Sequence, residues 1–509
     1  VPLLQSKNGG SSFTFSGGDN VHVDHHYIWV NPDNPLHLIN GNDGGVNISY
    51  DGGDHWTKCN SPAVGQFYTI AVDNQKYYNV YGGLQDNGVW KGPNNYNYST
   101  SWHQEGKYPY QRIAGGDGMQ IQIDNRDQTV YTGSQFGHYY RRDANGGYAY
   151  IHPMHDLKTE KLRWNWQTPI LLSMHNQDIL YMASNKLHRS RNKGKTFEEI
   201  SPDLSNGRKD GDVSYGTISC ISESKFEFGL IYAGTDDGNI QLTKNEGKTW
   251  SNISQKLPQH LWVRKIVASE HKKERVYALL NGHTWDHFNS YIYISEDYGT
   301  TWTQVGNNLP AECLNALKED AITEDILYVG SDAGLYISTD RGTSFQAFSN
   351  LPPVAIHDLA IQQEQRDLLV GTHGRSIYKI QLEPVYQSAT YLDSGFLFLK
   401  MDPLKYSENW GTLSYEWKET APRKEVVFYL SERSNVTIAI TDEKGNLLLE
   451  KDINGTKGFN THSIELKFQE NPSNELEKGD LGKYYPVRGK YIISVNNGSQ
   501  TLENSLMIQ

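Results

Sequence analysis

The chain has 509 residues, 12% of them aromatic and 37% hydrophobic, with 47 Gly, 33 Tyr, 12 Trp and only 3 Cys. Scarce Leu/Ala-rich stretches and abundant Tyr, Trp, Thr and Ser exclude a helical bundle, a coiled coil and a disordered chain, and favour pleated, half-buried surfaces. The charge balance, 47 − 59 = −12 with the acids spread along the chain, would repel phosphates, so neither a nucleic acid nor an anionic membrane is the expected partner.

No run approaches the roughly 18 apolar residues of a membrane span. Cys59, Cys220 and Cys313 are odd in number, far apart and without metal spacing, so no disulfide framework is expected. A start on Val1 rather than Met reads as a processed piece of a longer exported precursor.

In chain order, one unit recurs: an alternating segment, an apolar strand, a Gly-x-x-x-Gly turn and another strand. It reads HLINGNDGGVNISY at 37–50, NVYGGLQDNGVW at 79–90, TVYTGSQFGHYY at 129–140, LIYAGTDDGNIQL at 230–242, ILYVGSDAGLYIS at 326–338 and LLVGTHGRSIYKI at 368–380. Weaker copies fall at 179–190 and 275–288. The alternating segments end near 31, 73, 124, 173, 224, 269, 320 and 362, so their spacing runs from 42 to 51 residues. Four short strands with tight turns need about this length, and a radial array of such units is a β-propeller. The alternating segment is strand a, at the channel; b and c flank the Gly-x-x-x-Gly turn; d lies outermost.

A second motif, Ser-x-Asp-x-Gly-x-x-Trp, falls between strands c and d. It occurs as SYDGGDHW at 49–56, SEDYGTTW at 295–302 and STDRGTSF at 338–345, with looser copies at 6–13, 190–197 and 243–250. The Asp or Asn is expected to accept turn amides, the Gly to take a conformation closed to other residues, and the aromatic to pack beneath. This resembles the Asp-box (BNR) repeat of sialidases, family 74 glycoside hydrolases and sortilin-type propellers. The run HVDHHYIWVNPDNPLHLINGNDGGV with GQFYTIAVD and GGDGMQIQID is similar to the C-terminal half of exported bacterial sortilin-like or glycosyl-hydrolase-like BNR proteins. The expected fold is all-β, a seven- to eight-bladed propeller over 1–383 in which residues 1–17 supply only part of a blade. Either that partial blade closes a ring of eight, or seven blades form one ring and the remainder belongs to an upstream second propeller.

Residues 384–424 lose the repeat and read as a connector, while 425–509 carry alternating strands with a Lys-Gly-Asn hairpin. The latter is expected to be a small immunoglobulin-like β-sandwich.

Because strand direction alternates, b–c turns and the lead-ins to strand a share the top face. Carboxylates interleaved with aromatic rings there are what a sugar site needs: rings stack on pyranose faces, and acids bind hydroxyls or cleave the glycosidic bond. Candidate catalytic residues are Asp24, Asp117 and Asp358. Candidate binding residues are His25, His26, Gln66, Tyr68, Gln85, Asp86, Trp166, Trp262, Arg264, His373 and Arg375. His22, Asp24 and His26 alternate on one side of an extended segment and could hold a transition metal, with Ca²⁺ an equal alternative, but no second ligand group accompanies them, so no metal site is assigned and a structural Ca²⁺ is the ion kept open. Nucleophile-elbow, Walker, zincin and dinucleotide motifs are missing.

Two functions follow. Resemblance to family 74 implies an exported, inverting hydrolase of a β-glucan-type polysaccharide, with Asp24 acting beside Asp117 or Asp358. Resemblance to sortilin-type propellers implies a non-catalytic module holding a glycan, peptide or protein on its top face. Either one is expected outside the cell, secreted or bound to the cell surface or outer membrane.

Overall fold

The structure is a computed structural model, and it describes the chain apart from residues 1, 19–20, 60–63, 97–107, 156–158, 349–350, 390–394, 414–418 and 473–475. Parts of the expected connector, at 390–394 and 414–418, therefore lie outside the described residues.

Seven antiparallel sheets form a closed ring. Their channel-facing a strands are Phe67–Val72, Gln122–Asp124, Ile170–Leu172, Ile218–Glu223, Trp262–Ala268, Leu314–Glu319 and Ile356–Gln362, which define blades I to VII. Blades I to VI have four strands and blade VII has three. The ring closes where strand a of blade VII packs against strand a of blade I, and among the described residues no strand is shared across that seam.

The eighth repeat, His25–Val30, Leu38–Asn42, Gly45–Ser49 and Thr57–Cys59, forms a four-stranded sheet outside the ring. The hairpin Leu4–Gln5 with Thr14–Phe15 lies next to it, because the Trp56 indole N–H donates to Ser16 O at 2.6 Å. Of the two ring sizes the sequence allowed, seven is the observed one.

The same local chemistry builds each blade. Strand b carries a tyrosine packed between neighbouring sheets (Tyr81, Tyr131, Tyr181, Tyr232, Tyr277, Tyr328), and every one is fully buried. Four of their hydroxyls donate to acids at the ends of a strands, as Tyr181 does to Glu223 at 3.1 Å and Tyr277 to Glu319 at 2.9 Å. At the c–d turns, Ser295 Oγ donates to Asp297, and Asp297 accepts the Thr301 amide at 2.8 Å. The same pattern recurs at Ser49/Asp51, Ser338/Asp340, Ser190/Asn192, Thr243/Asn245 and Ser6/Asn8. In blades IV and V the turn tryptophan staples the blade to the one before it: Trp302 Nε1 donates to Ile253 O at 2.8 Å and Trp250 Nε1 to Ile200 O at 2.9 Å. Six turns repeat the Ser/Thr-to-Asp/Asn geometry, which marks them as a folding device.

Past a short helix, Glu383–Ala389, two further sheets pack face to face. Strands Arg423–Leu430 and Gly458–Glu465 belong to one, and Ser434–Asp442, Leu447–Gly455, Gly489–Asn496 and Thr501–Ile508 to the other. The Lys444-Gly445-Asn446 hairpin joins Ser434–Asp442 to Leu447–Gly455 as the sequence predicts. Val426, Phe428, Ile438, Ile440, Ile493 and Leu506 fill the interior of this β-sandwich. Its Tyr429 and Phe459 also enter the core of blades VI and VII with Phe348 and Tyr328, so the two domains share apolar contacts.

Candidate functional site

A one-residue bulge shapes the channel mouth. In blades I, IV, V, VI and VII, the pairing of strands a and b skips one residue of strand a: Tyr68, Ser219, Arg264, Asn315 and His357. The sheet outside the ring skips His26 in the same way. A bulge bends the strand and re-aims the extra side chain, and such bulges concentrate near active sites. The glycine opposite makes room for this packing. A Cβ on Gly330 would stand 2.5 Å from Ile356 Cγ2, and one on Gly234 would stand 2.4 Å from Val263 Cγ1. The first glycine of Gly-x-x-x-Gly therefore belongs to strand b, and only the second sits in the turn.

Tyr68, Arg264, His357 and His373 gather at this mouth. His357 stacks on His373 at 4.3 Å, with Tyr68 5.7 Å from His373. Burial, followed by the nearby Arg264, His373 and Lys265 charges, pushes His357 down to about 2; burial likewise lowers His373. Both rings are therefore neutral. Burial lowers Arg264, partly offset by Asp358. Nε of Arg264 and Nδ1 of His357 and His373 are buried without a hydrogen-bond partner, which leaves three polar atoms able to bond a ligand.

Asp358, deeper on strand a of blade VII, is already engaged. It accepts Lys265 Nζ at 3.0 Å, Thr69 Oγ1 at 2.8 Å and the Ile70 amide at 3.1 Å. Burial raises its pKa, but the Lys265 ammonium and these donors outweigh that and hold it below the usual carboxylate range.

On the blade I–II side the carboxylates converge. Asp117, 8% exposed, accepts the Asp86 amide at 2.9 Å and Gln135 Nε2 at 3.0 Å. Burial raises Asp86, and the charges of Asp117, Asp43 and Asp24 add to it, against a smaller pull from His22. Tyr68 is raised by burial and by Asp117 and Asp86, while the Trp166 side chain bonds its hydroxyl. Trp166 is 40% exposed and packs edge-on against Phe136 at 5.2 Å.

The sheet outside the ring leans on this corner. His22 Nε2 meets Asp86 O at 2.9 Å, Asn87 Nδ2 donates to Asp43 O at 3.0 Å, and His26 Nε2 meets Asp43 Oδ1 at 2.5 Å. Asp24, exposed, lies 3.8 Å from the His22 ring.

The structure thus brings together Asp24, His26, Tyr68, Asp86, Asp117, Trp166, Arg264, His373 and Asp358. Gln66 joins them through its backbone, bridging to His373 and accepting the Gln85 amide at 3.0 Å. His25 instead turns to Asn40 of its own sheet at 3.0 Å, Trp262 pairs with Asn281 on blade V, and exposed Arg375 sits on the blade VII turn, where its amide donates to Thr372 Oγ1. His357, Asn315 and Ser219 complete the bulged set that the binding list left out. Their signal is a single-residue break in strand alternation, legible only once the register with strand b is known.

The buried neutral histidines His152, His188, His357 and His373 make stability depend on pH. Burial lowers each of them, to about 4 for His188 and about 2 for His357. Below about pH 6.5 the unfolded chain binds protons that the folded chain refuses, so stability falls as pH drops from there towards the folded values. Chemical denaturation at pH 7 and pH 5 should show a loss of up to about 1.4 kcal/mol per pH unit for each such histidine. His188→Gln should flatten the slope, and an unchanged slope would refute this origin.

No protein-family model matches the chain. A stretch of 138 residues is 30% identical to a xyloglucanase of Hypocrea jecorina, covering 24% of this chain and 16% of that enzyme. A stretch of 152 residues is 28% identical to a xyloglucanase of Paenibacillus sp, covering 27% of this chain and 15% of that enzyme. The chain is a β-propeller with partial similarity to glycoside hydrolases. The aligned stretches span about a sixth of the relatives' length. Among solved structures, YCF48 bound to D1 peptide aligns over 62% of this chain and 92% of its own at 11% identity and TM-score 0.40. The WD40 β-propeller domain of Doa1 aligns over 62% and 92% at 11% identity and TM-score 0.43. None of the helices described is long and apolar enough to cross a membrane.

Proposed function

We propose that this chain is a carbohydrate-active propeller that hydrolyses a β-glucan-type polysaccharide outside the cell, at the corner between blades I and II and the sheet 25–59. What carries the reading is the coupled carboxylate set Asp24, Asp86 and Asp117 beside Tyr68 and Trp166, in a chain whose sequence partly aligns with two xyloglucanases. Asp117, accepting the Asp86 amide and Gln135 Nε2, holds Asp86. Asp86, raised by burial and by like charges, serves as the general acid. Asp24, exposed across the corner, activates water as the base, which is the division of labour of an inverting enzyme. Trp166 and Tyr68 offer ring faces to the sugar, and the unpartnered nitrogens of Arg264, His357 and His373 bond its hydroxyls.

The test is release of reducing ends from a panel of polysaccharides, xyloglucan included, by the full chain. Release from a β-glucan, lost in Asp24→Ala, is expected. Retained glycan binding without release would instead make this a binding module, and neither binding nor release would overturn the carbohydrate reading altogether.

A further inference from the structure

Away from that corner, three side chains that the proposed chemistry does not use meet on the top face between blades V and VI. His283 lies in the short helical turn His283–Trp285 after strand b of blade V, Cys313 directly precedes strand a of blade VI, and Asp332 directly follows strand b of blade VI. One imidazole nitrogen, the thiol sulfur and one carboxylate oxygen lie within 4.8 Å of one another. Cys313 is 1% exposed, whereas His283 and Asp332 face solvent. The sulfur thus forms the floor, and the other two groups form the rim of a pocket open to the top face.

The backbone holds the three in place. Leu314 pairs with Ser331, which sets Cys313 opposite Asp332, and the Asp332 amide donates to Cys313 O at 3.0 Å. A side-chain relay ties in the third. Asn315 Nδ2 donates to Asp332 Oδ1 at 2.8 Å, Asn281 Nδ2 donates to Asn315 Oδ1 at 3.1 Å, and Asn281 Oδ1 accepts the His283 amide at 2.9 Å. Asn315, one of the bulged residues, therefore links Asp332 to the His283 backbone through the Asn281 amide. Outer-shell bonds of this kind orient the groups that ligate metals.

We propose that His283, Cys313 and Asp332 bind a divalent transition metal of the zinc class. A mixed sulfur, nitrogen and oxygen set suits Zn²⁺ and excludes Ca²⁺ and Mg²⁺, which take oxygen ligands. Bonds of about 2.0–2.3 Å place tetrahedral ligand atoms roughly 3.3–3.8 Å apart, so rotation of the exposed His283 and Asp332 side chains by about an ångström closes the site. Three protein ligands leave the fourth position to water on the open side, as in zinc sites that act on a ligand. Binding converts the Cys313 thiol to thiolate, with its proton released to solvent.

The experiment titrates the full chain with Co²⁺ and Zn²⁺ alone. One Co²⁺ per chain is expected, with a thiolate-to-cobalt charge-transfer band that disappears in Cys313→Ser and persists in Cys59→Ser. Zn²⁺ affinity should fall at least 10-fold in His283→Ala and in Asp332→Asn, with a smaller loss in Asn315→Ala. Should Cys313→Ser fail to fold, His283→Ala decides the matter, since that side chain is exposed. Absence of the band in the native chain, a band that survives Cys313→Ser, or equal Zn²⁺ affinity in His283→Ala would each overturn the site.

Discussion

Asp358→Ala is expected to cost about 1–3 kcal/mol of folding stability, because it leaves the Lys265 ammonium, Thr69 Oγ1 and the Ile70 amide without their acceptor. The carboxylate does two jobs at once. It neutralises Lys265 of blade V, and it accepts from Thr69 Oγ1 and the Ile70 amide of blade I. With no strand among the described residues shared across the closing seam, such side-chain bonds and the packing of Ile70 on Leu369 join the last blade to the first. Tyr78 adds a second tie, donating to Asp367 at 2.6 Å. Denaturant unfolding should show the loss directly. Asp358→Asn should recover part of it, keeping a bond to Thr69, and Lys265→Met combined with Asp358→Leu should recover more, since no charge is then left unpaired. An Asp358→Ala variant as stable as the native chain, yet inactive on polysaccharide, would shift Asp358 from the seam to the chemistry.

Asp86→Asn should lower polysaccharide hydrolysis by about 10²–10⁴-fold with little change in KM, the range expected on removing a general acid. Asp86 must be protonated to act, and burial with three neighbouring carboxylates raises its pKa. In the native chain, activity should therefore fall as pH rises through that raised value. Asp117→Asn should shift this alkaline limb to lower pH, because it removes the largest of the like charges, and should also weaken the hold on the Asp86 amide. A pH–rate profile separates the two variants. If Asp86→Asn keeps native kcat, the acid lies elsewhere in the corner.

Much of this was legible in the residues. The Val/Ile/Leu-Tyr steps of strand b and the Ser-x-Asp-x-Gly turns repeat because each blade solves the same local packing problem, and the structure uses them as the pattern predicts. The ring size was not legible. A repeat such as 37–50 looks the same whether the sheet it builds stands in the ring or beside it, and only the packing of Phe67–Val72 on Ile356–Gln362 decides. The site was half legible. Lead-in residues such as His26, Tyr68 and Arg264 were legible from their place before or within strand a, but the equally bulged Ser219, Asn315 and His357 were not. Asp86 read as a binding residue and not as an acid, because the pattern shows its position and not its burial. Sequence could put His283 and Asp332 on the top face but not bring them to Cys313, since the members come from two blades and no spacing links them.

The strand His25–Val30 carries one further consequence. Among the described residues it pairs with Leu38–Asn42 on one side only. Its Tyr27 is 70% exposed and its Val30 49%. A half-paired, apolar edge is a template for another chain, and what keeps copies apart in dilute buffer is the charge of −12. That repulsion vanishes near the isoelectric point of about 5.8 and is screened by salt. The colloidal behaviour of the whole molecule thus turns on one six-residue edge strand, and mildly acidic, salty solutions are where it would self-associate.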